Sequence, residues 1–354
     1  MILNDSIYTV GIDFGGTSAK IGVCRGSEIV HHAKPVPTAD AHSRDGLIQT
    51  LVNEVKKLQR MFPDIKAVGV GVPGLVDFDR GFIHNLTNLH GWTHVPFRTL
   101  FSNKTGLPVV VENDANAMTY AEFRYGAAKD YQNVIALTLG TGIGGGVIIN
   151  GKLYRGRQFV AGEVGQMSID YRGRCGVYGN LGAVEQYVGN NQIAQHAVQR
   201  YAAIGIHREA EDCTPKDIAD RAAEGDQIAR EIWGDVAEWL GTAIANIAWL
   251  LNPDAVVIGG GIAKAGELLF RPLENKVRSM LSDVLWEGLK LLPAAYGNDA
   301  GIIGNAALAA DYVLENGISV PEAIVEEVVA PKKPAKRAKK AIEAHSKRKV
   351  AISA

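Results

Sequence analysis

The sequence predicts an α/β fold in which one structural unit occurs twice. A strand, a glycine-rich turn and a returning strand appear at residues 7–23, and the same pattern returns at residues 133–149. The stretch Val109-Val110-Val111-Glu112-Asn113-Asp114-Ala115-Asn116-Ala117 adds a second signal. Its three β-branched residues read as a buried strand, and the polar run after them reads as the start of a helix. Asp114 therefore sits at a strand-to-helix corner. An aspartate there can simply cap free backbone N–H groups, or it can stand at the carboxyl edge of a sheet, where open α/β sheets bind ligands.

The first copy has apolar arms, Tyr8 to Ile12 and Ile21 to Val23, around Asp13-Phe14-Gly15-Gly16-Thr17-Ser18-Ala19-Lys20. Glu28 to Val36 supplies a third strand, ended by Pro35 and Pro37. Leu47, Leu51, Val55 and Leu58 share one helical face over residues 47–61, and Lys66 to Val72 is again a strand, turned by Pro73-Gly74. In the second copy, Asn133 to Leu139 leads into the turn Gly140 to Gly146. Val147-Ile148-Ile149 returns, and Asn150-Gly151 signals a hairpin. Residues 192–251 are helical almost throughout, stopped by Asn252-Pro253. Asp254 to Ile258 is a strand, and Gly259-Gly260-Gly261 turns into a helix near Ile262. An apolar helix over residues 300–310 is expected to pack back on the first half.

Composition bounds the function. An apolar fraction of 47 %, a charged fraction of 21 % and a net charge of −1 describe an ordinary globular protein and select no partner class. Cys24, Cys175 and Cys213 are far apart, in no metal or redox spacing, which fits a reducing, cytoplasmic setting. No signal-peptide pattern opens the chain. The longest apolar span, residues 236–251, is interrupted by Glu238, Thr242 and Asn246 and reads as a buried core helix, so no membrane contact is expected. After Val329 the chain carries nine Lys and Arg residues, from Lys332 to Lys349, against the single acid Glu343. Residues 316–354 are read as a basic, disordered tail, with contact to nucleic acid or another polyanion the lesser alternative.

Glycine turns between paired strands point backbone N–H groups into a shared cleft, where they suit phosphate oxygens. Here there are two such turns. Asp13 can hold a water of a hydrated Mg²⁺, while Thr17, Lys20 and Thr141 face phosphate oxygens. Two look-alikes fail. Gly140 to Gly146 resembles a dinucleotide fingerprint, but a strand rather than a helix follows it. Gly146 to Lys152 has P-loop spacing, yet Leu153 replaces the metal-binding Ser or Thr.

In order along the chain, six motifs together resemble the ROK family. They are Asp13 to Thr17, Gly69-Val70-Gly71-Val72-Pro73-Gly74, Glu112 to Ala117, Leu139 to Gly146, Gly162-Glu163-Val164-Gly165 and Gly259 to Ala263. The resemblance implies the actin-like ATPase (ribonuclease H-like) fold, two duplicated α/β domains around a central cleft. Residues 1–112, with about 300–315, form the small domain, and residues 113–299 the large one. It further implies an ATP-dependent hexose kinase, best matched by a glucokinase, that dimerises through the large domain. Asp114 looks like the general base that takes the proton of the sugar 6-hydroxyl. Asn113, Glu163 and Glu185 match sugar-binding positions, and Gly71 and Asn88 lie in segments resembling the sugar-facing loops. Gly15, Gly16 and Thr17, with Gly140, Thr141 and Gly142, match the phosphate turns. Gly259, Gly260 and Gly261 match the turn beside adenosine.

The sequence departs from the family at its zinc motif. Gln166 stands at the family His, and Gly176, Tyr178 and Ala183 stand at the three Cys positions. No zinc is expected, because all four ligands are missing. Gln166 can keep a sugar contact through its amide without titrating near neutral pH. Rival readings are a sugar-responsive repressor of the same family, here without a helix-turn-helix before the first strand, a kinase using polyphosphate, and a kinase for mannose, fructose or N-acetylglucosamine.

Overall fold

The structure, a computed structural model, describes residues 7–38, 43–86 and 91–317. Asn88 and the basic tail lie outside the described residues.

Tyr8–Phe14, Ser18–Arg25 and Glu28–His32 form an antiparallel meander. Tyr8–Phe14 also pairs in parallel with Ile65–Val72, and that strand pairs in parallel with Val109–Asn113. The second sheet repeats this order. Val134–Leu139, Ile143–Ile149 and Lys152–Leu153 are antiparallel, and Val134–Leu139 is followed across the sheet by the parallel strands Ala255–Gly260 and Lys290–Pro293. The duplication read from the sequence is thus present as topology. Register sharpens it: Asp13 lies opposite Lys20 and Gly71, while Thr138 lies opposite Gly144 and Gly259. Asp13 and Thr138 hold equivalent places at the carboxyl ends of equivalent strands.

Both glycine turns are tighter than the sequence implied. Gly15 to Thr17 and Gly140 to Gly142 make the turns, and Lys20, Gly144, Gly145 and Gly146 belong to strands. Helix approach explains the later glycines. A Cβ on Gly146 would lie 2.2 Å from Thr119 Oγ1, so a side chain there would push the helix Asp114–Arg124 off the sheet. The single strand expected over residues 28–36 is two, Glu28–His32 and a short Val36–Pro37. Pro35, which has no N–H, lies in the gap between them.

Asp114–Arg124 packs on the second sheet and Ala300–Asn316 on the first, and the two helices pack on each other. The contact is backbone-close. A Cβ on Gly11 would sit 1.9 Å from the Ile302 carbonyl oxygen, and one on Gly304 would sit 1.8 Å from that of Ala117. One apolar core lies around Ile12, Val70 and Leu51, a second around Leu137, Ile258, Trp233 and Leu240, and a third, with Val110, Met118 and Ile303, lies under the two central helices.

Two features escaped sequence reading. A three-stranded sheet, Gly74–Asp77, Phe82–Leu86 and Thr93–Val95, stands at the first sheet's edge. The helix Gln227–Leu251 is buried along most of its length, but its last turn emerges: Trp249, Leu250 and Leu251 are exposed, against the expectation of a core helix to residue 251. Among the described residues no helix is long and apolar enough to cross a membrane.

Candidate active site

The carboxyl ends of three parallel strands of the first sheet bring Asp13, Pro73 and Asn113 to one edge. At the Asn113 end the chain turns into the helix Asp114–Arg124. The cap is Asn113, whose Oδ1 accepts from the N–H groups of Ala115 and Asn116 at 2.9 and 3.1 Å. The capping role first weighed for Asp114 thus belongs to its neighbour. Asp114 is the first helical residue, and its Oδ1 accepts from the Ala115 N–H at 2.9 Å. Burial pushes its carboxyl up to about 6, further helped by the charges of Asp13 and Glu163, while backbone hydrogen bonds pull the other way. A carboxylate so tuned accepts a proton near neutrality better than an ordinary aspartate.

Asp114 lines a cavity of about 540 Å³. The same cavity is lined by Asn113, Glu163, Gln166, Glu185, Gly140, Thr141, Gly142, Gly260 and Gly261, so ten of the predicted site residues converge there. Others stand aside. Gly71 is buried, and a Cβ on it would lie 2.4 Å from Asn305 Nδ2, so it faces the central helix. Asp13, Gly15, Gly16, Thr17, Lys20 and Gly259 do not line the cavity. Asp13 is still close enough for its charge to raise the Asp114 carboxyl. Asp13 itself is held above the usual carboxylate range by burial, partly offset by Lys20, whose Nζ lies 3.9 Å away.

Glu185 organises the far wall. Its Oε2 accepts from the Ile143 N–H at 3.0 Å, directly after the second glycine turn, and a Cβ on Gly142 would fall 2.3 Å from that oxygen. Its Oε1 accepts from Gln166 Nε2 at 3.4 Å. Because a carboxylate only accepts, this contact fixes the Gln166 amide: Nε2 turns to Glu185, and the buried Oε1 is left without a hydrogen-bond partner on the cavity wall. Glu163 is raised by burial of its carboxyl and then by the charge of Glu185. Paired acceptors with an orphaned buried oxygen suit a ligand rich in hydroxyl groups.

A second cavity, also about 540 Å³, is lined by Asn190, Gln195, Glu211, Thr214, Lys216 and, shared with the first, Gly261. Sequence reading found only Gly261 here, since the other residues come from helices and their ends, whose facing surfaces are set by tertiary packing.

The ROK family profile matches residues 9–312. The chain belongs to the ROK family. Its paired sheets and central helices are the actin-like ATPase fold of that family. A glucokinase of Streptomyces coelicolor is 34 % identical over 313 residues, covering 85 % of this chain and 97 % of the relative. A xylose repressor of Bacillus subtilis is 27 % identical over 311 residues, covering 87 % of this chain and 78 % of the repressor. Among solved structures, a ROK family glucokinase from Streptomyces griseus in complex with glucose and AMPPNP is 34 % identical, with a TM-score of 0.71. The match covers 86 % of this chain and 99 % of that one. Relatives of this chain thus include both glucokinases and xylose repressors.

Residues missed by the sequence reading support the corner. Glu112 is a buried carboxylate that accepts from the Asn113 N–H at 2.9 Å, from Asn116 Nδ2 at 3.0 Å and from Arg155 Nε at 2.7 Å. The signal was available: an acidic residue in an otherwise apolar strand needs a partner. Nothing in the sequence said that the partner would be Arg155.

Proposed function

We propose that the protein is an ATP-dependent hexose kinase, best described as a glucokinase, that transfers the ATP γ-phosphate to the sugar 6-hydroxyl. The observation that carries this is Asp114, raised to about 6, on one cavity wall with Glu163, Gln166 and Glu185 and with the turn Gly140 to Gly142. The sugar occupies the cavity with hydroxyl groups on Glu163, Glu185 and the open Oε1 of Gln166. Asp114 takes the proton from the attacking hydroxyl. The N–H groups of the second glycine turn hold phosphate oxygens, and the adenosine reaches past Gly260 and Gly261 into the second cavity. Phosphoryl transfer asks for little more than positioning, charge neutralisation and one base, and these residues supply the first and last. The Mg²⁺ carried by the nucleotide supplies the neutralising charge, and Asp13, a carboxylate at the same strand edge, is the residue suited to hold it. The likeness to the glucose- and AMPPNP-bound S. griseus structure supports the donor and the acceptor alike.

An assay of sugar phosphate formation across glucose, mannose, fructose, N-acetylglucosamine and N-acetylmannosamine, with ATP or polyphosphate as donor, tests the reading. Glucose with ATP is expected to give the highest kcat/KM, and Asp114→Asn to lower kcat roughly 10²-fold with sugar binding retained. No turnover with any sugar, joined to sugar-dependent DNA binding, would favour a repressor-like role instead.

A further inference from the structure

Arg155 has no place in the catalytic scheme above, yet it contacts three segments that carry residues of the acceptor cavity. Its Nε donates to Glu112 Oε2 at 2.7 Å, and Glu112 in turn accepts from the backbone of Asn113 and the side chain of Asn116 on either side of Asp114. The guanidinium also lies 3.5 Å from the centre of the Phe78 ring. Phe78 follows Gly74–Asp77 and precedes Phe82–Leu86, and Gly74, Leu75 and Asn85 of this hairpin line the cavity. Finally, the Arg155 carbonyl accepts from the Ala161 N–H at 3.0 Å, closing the loop that delivers Glu163.

We propose that Arg155 is a positioning residue for phosphoryl transfer: by clamping Glu112 and Phe78 it fixes where the Asp114 carboxylate stands relative to the acceptor walls. The physical reason is that Glu112 is nearly sealed from solvent, with a side-chain exposure of 3 %. A buried carboxylate stripped of its cation either takes up a proton or drags its neighbours toward water. Its neighbours are the cap and first turn of the helix that holds Asp114. Displacement of a reacting group by about 1 Å costs roughly 10²-fold in rate. Arginine suits the place because one planar group can donate to a carboxylate and stack on a ring together, which lysine cannot do.

This inference rests on the kinase reading, so wild type and Asp114→Asn are assayed beside it. Inactive wild type sinks the kinase reading, whereas active wild type leaves Arg155 to be judged on its own variants. Arg155→Met is expected to lower kcat roughly 10- to 10²-fold with both KM values within about 3-fold, the signature of a contact used only in the transition state. Adding Glu112→Gln, which removes the stranded charge but keeps an acceptor for the Asn113 N–H, is expected to restore part of the lost kcat. Losses that simply add would mean that the two side chains act on turnover independently. Wild-type kcat in Arg155→Met, or additive losses in the double variant, overturns the proposal. Should Arg155→Met be unfolded by circular dichroism, Arg155→Lys carries the test: a smaller fall in kcat, about 3-fold or more, supports the role, and unchanged kcat in the folded lysine variant refutes it.

Discussion

The burial that suits Asp114 for taking a proton also works against the fold. Its folded value of about 6 exceeds the unfolded value of 3.8, so between those values the native state binds more protons than the unfolded chain. Stability from this group is therefore fully present below about pH 4 and is lost as pH rises through about 6. At about 1.4 kcal/mol per unit the cost is at most about 3 kcal/mol. Asp114→Asn should thus unfold at a temperature a few degrees higher than wild type at pH 8, with the gap closing toward pH 4. Equal melting temperatures at pH 8 would mean that the carboxyl is not strained by burial. The same value sets the rate profile. With Asp114 as base, kcat/KM should fall as pH drops below about 6 and level off above it, and a profile flat from pH 5 to 8 would remove Asp114 from that role. The sequence placed this residue at the strand-to-helix corner where the structure has it, but left open which residue caps the helix, because Asn113 and Asp114 are both good caps and only backbone geometry separates them.

At the scale of elements, the segment from Met167 to Tyr187 shows how a loop built on a metal motif holds together with its ligand positions replaced. Among the described residues no group of three or more His, Cys, Asp and Glu side chains could hold a metal ion. Ser168 and Cys175 make antiparallel bridges to Ala183 and Leu181. Gly182, in the left-handed region at φ 74°, packs its α-carbon against the Asp170 backbone, where a Cβ would come within 1.9 Å of a carbonyl oxygen. Arg174 fastens the loop to the body: its N–H donates to the Tyr187 hydroxyl at 2.9 Å, its Nη1 to the Gln186 carbonyl at 2.7 Å, and its guanidinium lies over the Tyr187 ring at 4.7 Å. Elemental analysis of the purified protein should therefore find no stoichiometric zinc, and Arg174→Ala should raise the sugar KM by loosening Glu185 while leaving the ATP KM near wild type. Zinc at one equivalent, or an unchanged sugar KM, would contradict this account. The expectation of no zinc rests on the identity of four residues, Gln166, Gly176, Tyr178 and Ala183. Sequence reasoning could not predict Arg174, because a lone arginine in a glycine-rich loop gives no sign of the ring that it covers. Long strands and helices were legible from their periodicity, whereas the Gly74–Val95 sheet was not, since its strands of three to five residues are too short to show a period.

Across the whole molecule, the two glycine turns belong to two sheets, and only one of them reaches the cavity. Gly140 to Gly142 line it, while Gly15 to Thr17, at the equivalent place in the first sheet, do not. For both turns and Asp13 to engage one triphosphate, the first sheet has to swing toward the second. The covalent paths for such a hinge are few: the corner at Asn113 and Asp114, and the entry to Ala300–Asn316, which returns to the first sheet after the second is complete. Glu122 braces that entry, accepting from the N–H groups of Ala295 and Tyr296 at 2.9 Å each while its other end belongs to the helix Asp114–Arg124. The division proposed from the sequence, near residue 112 with the last helix returned to the first domain, would put its hinge at these two crossings. Closure of this kind would also shield the phosphate from water, which limits ATP hydrolysis without sugar. Small-angle scattering should accordingly give a smaller radius of gyration with glucose and AMPPNP than for the free protein, with glucose alone producing part of the change. If calorimetry shows both ligands bound and the scattering curve does not move, the two turns cannot share a triphosphate, and the first turn must be dropped from the nucleotide site.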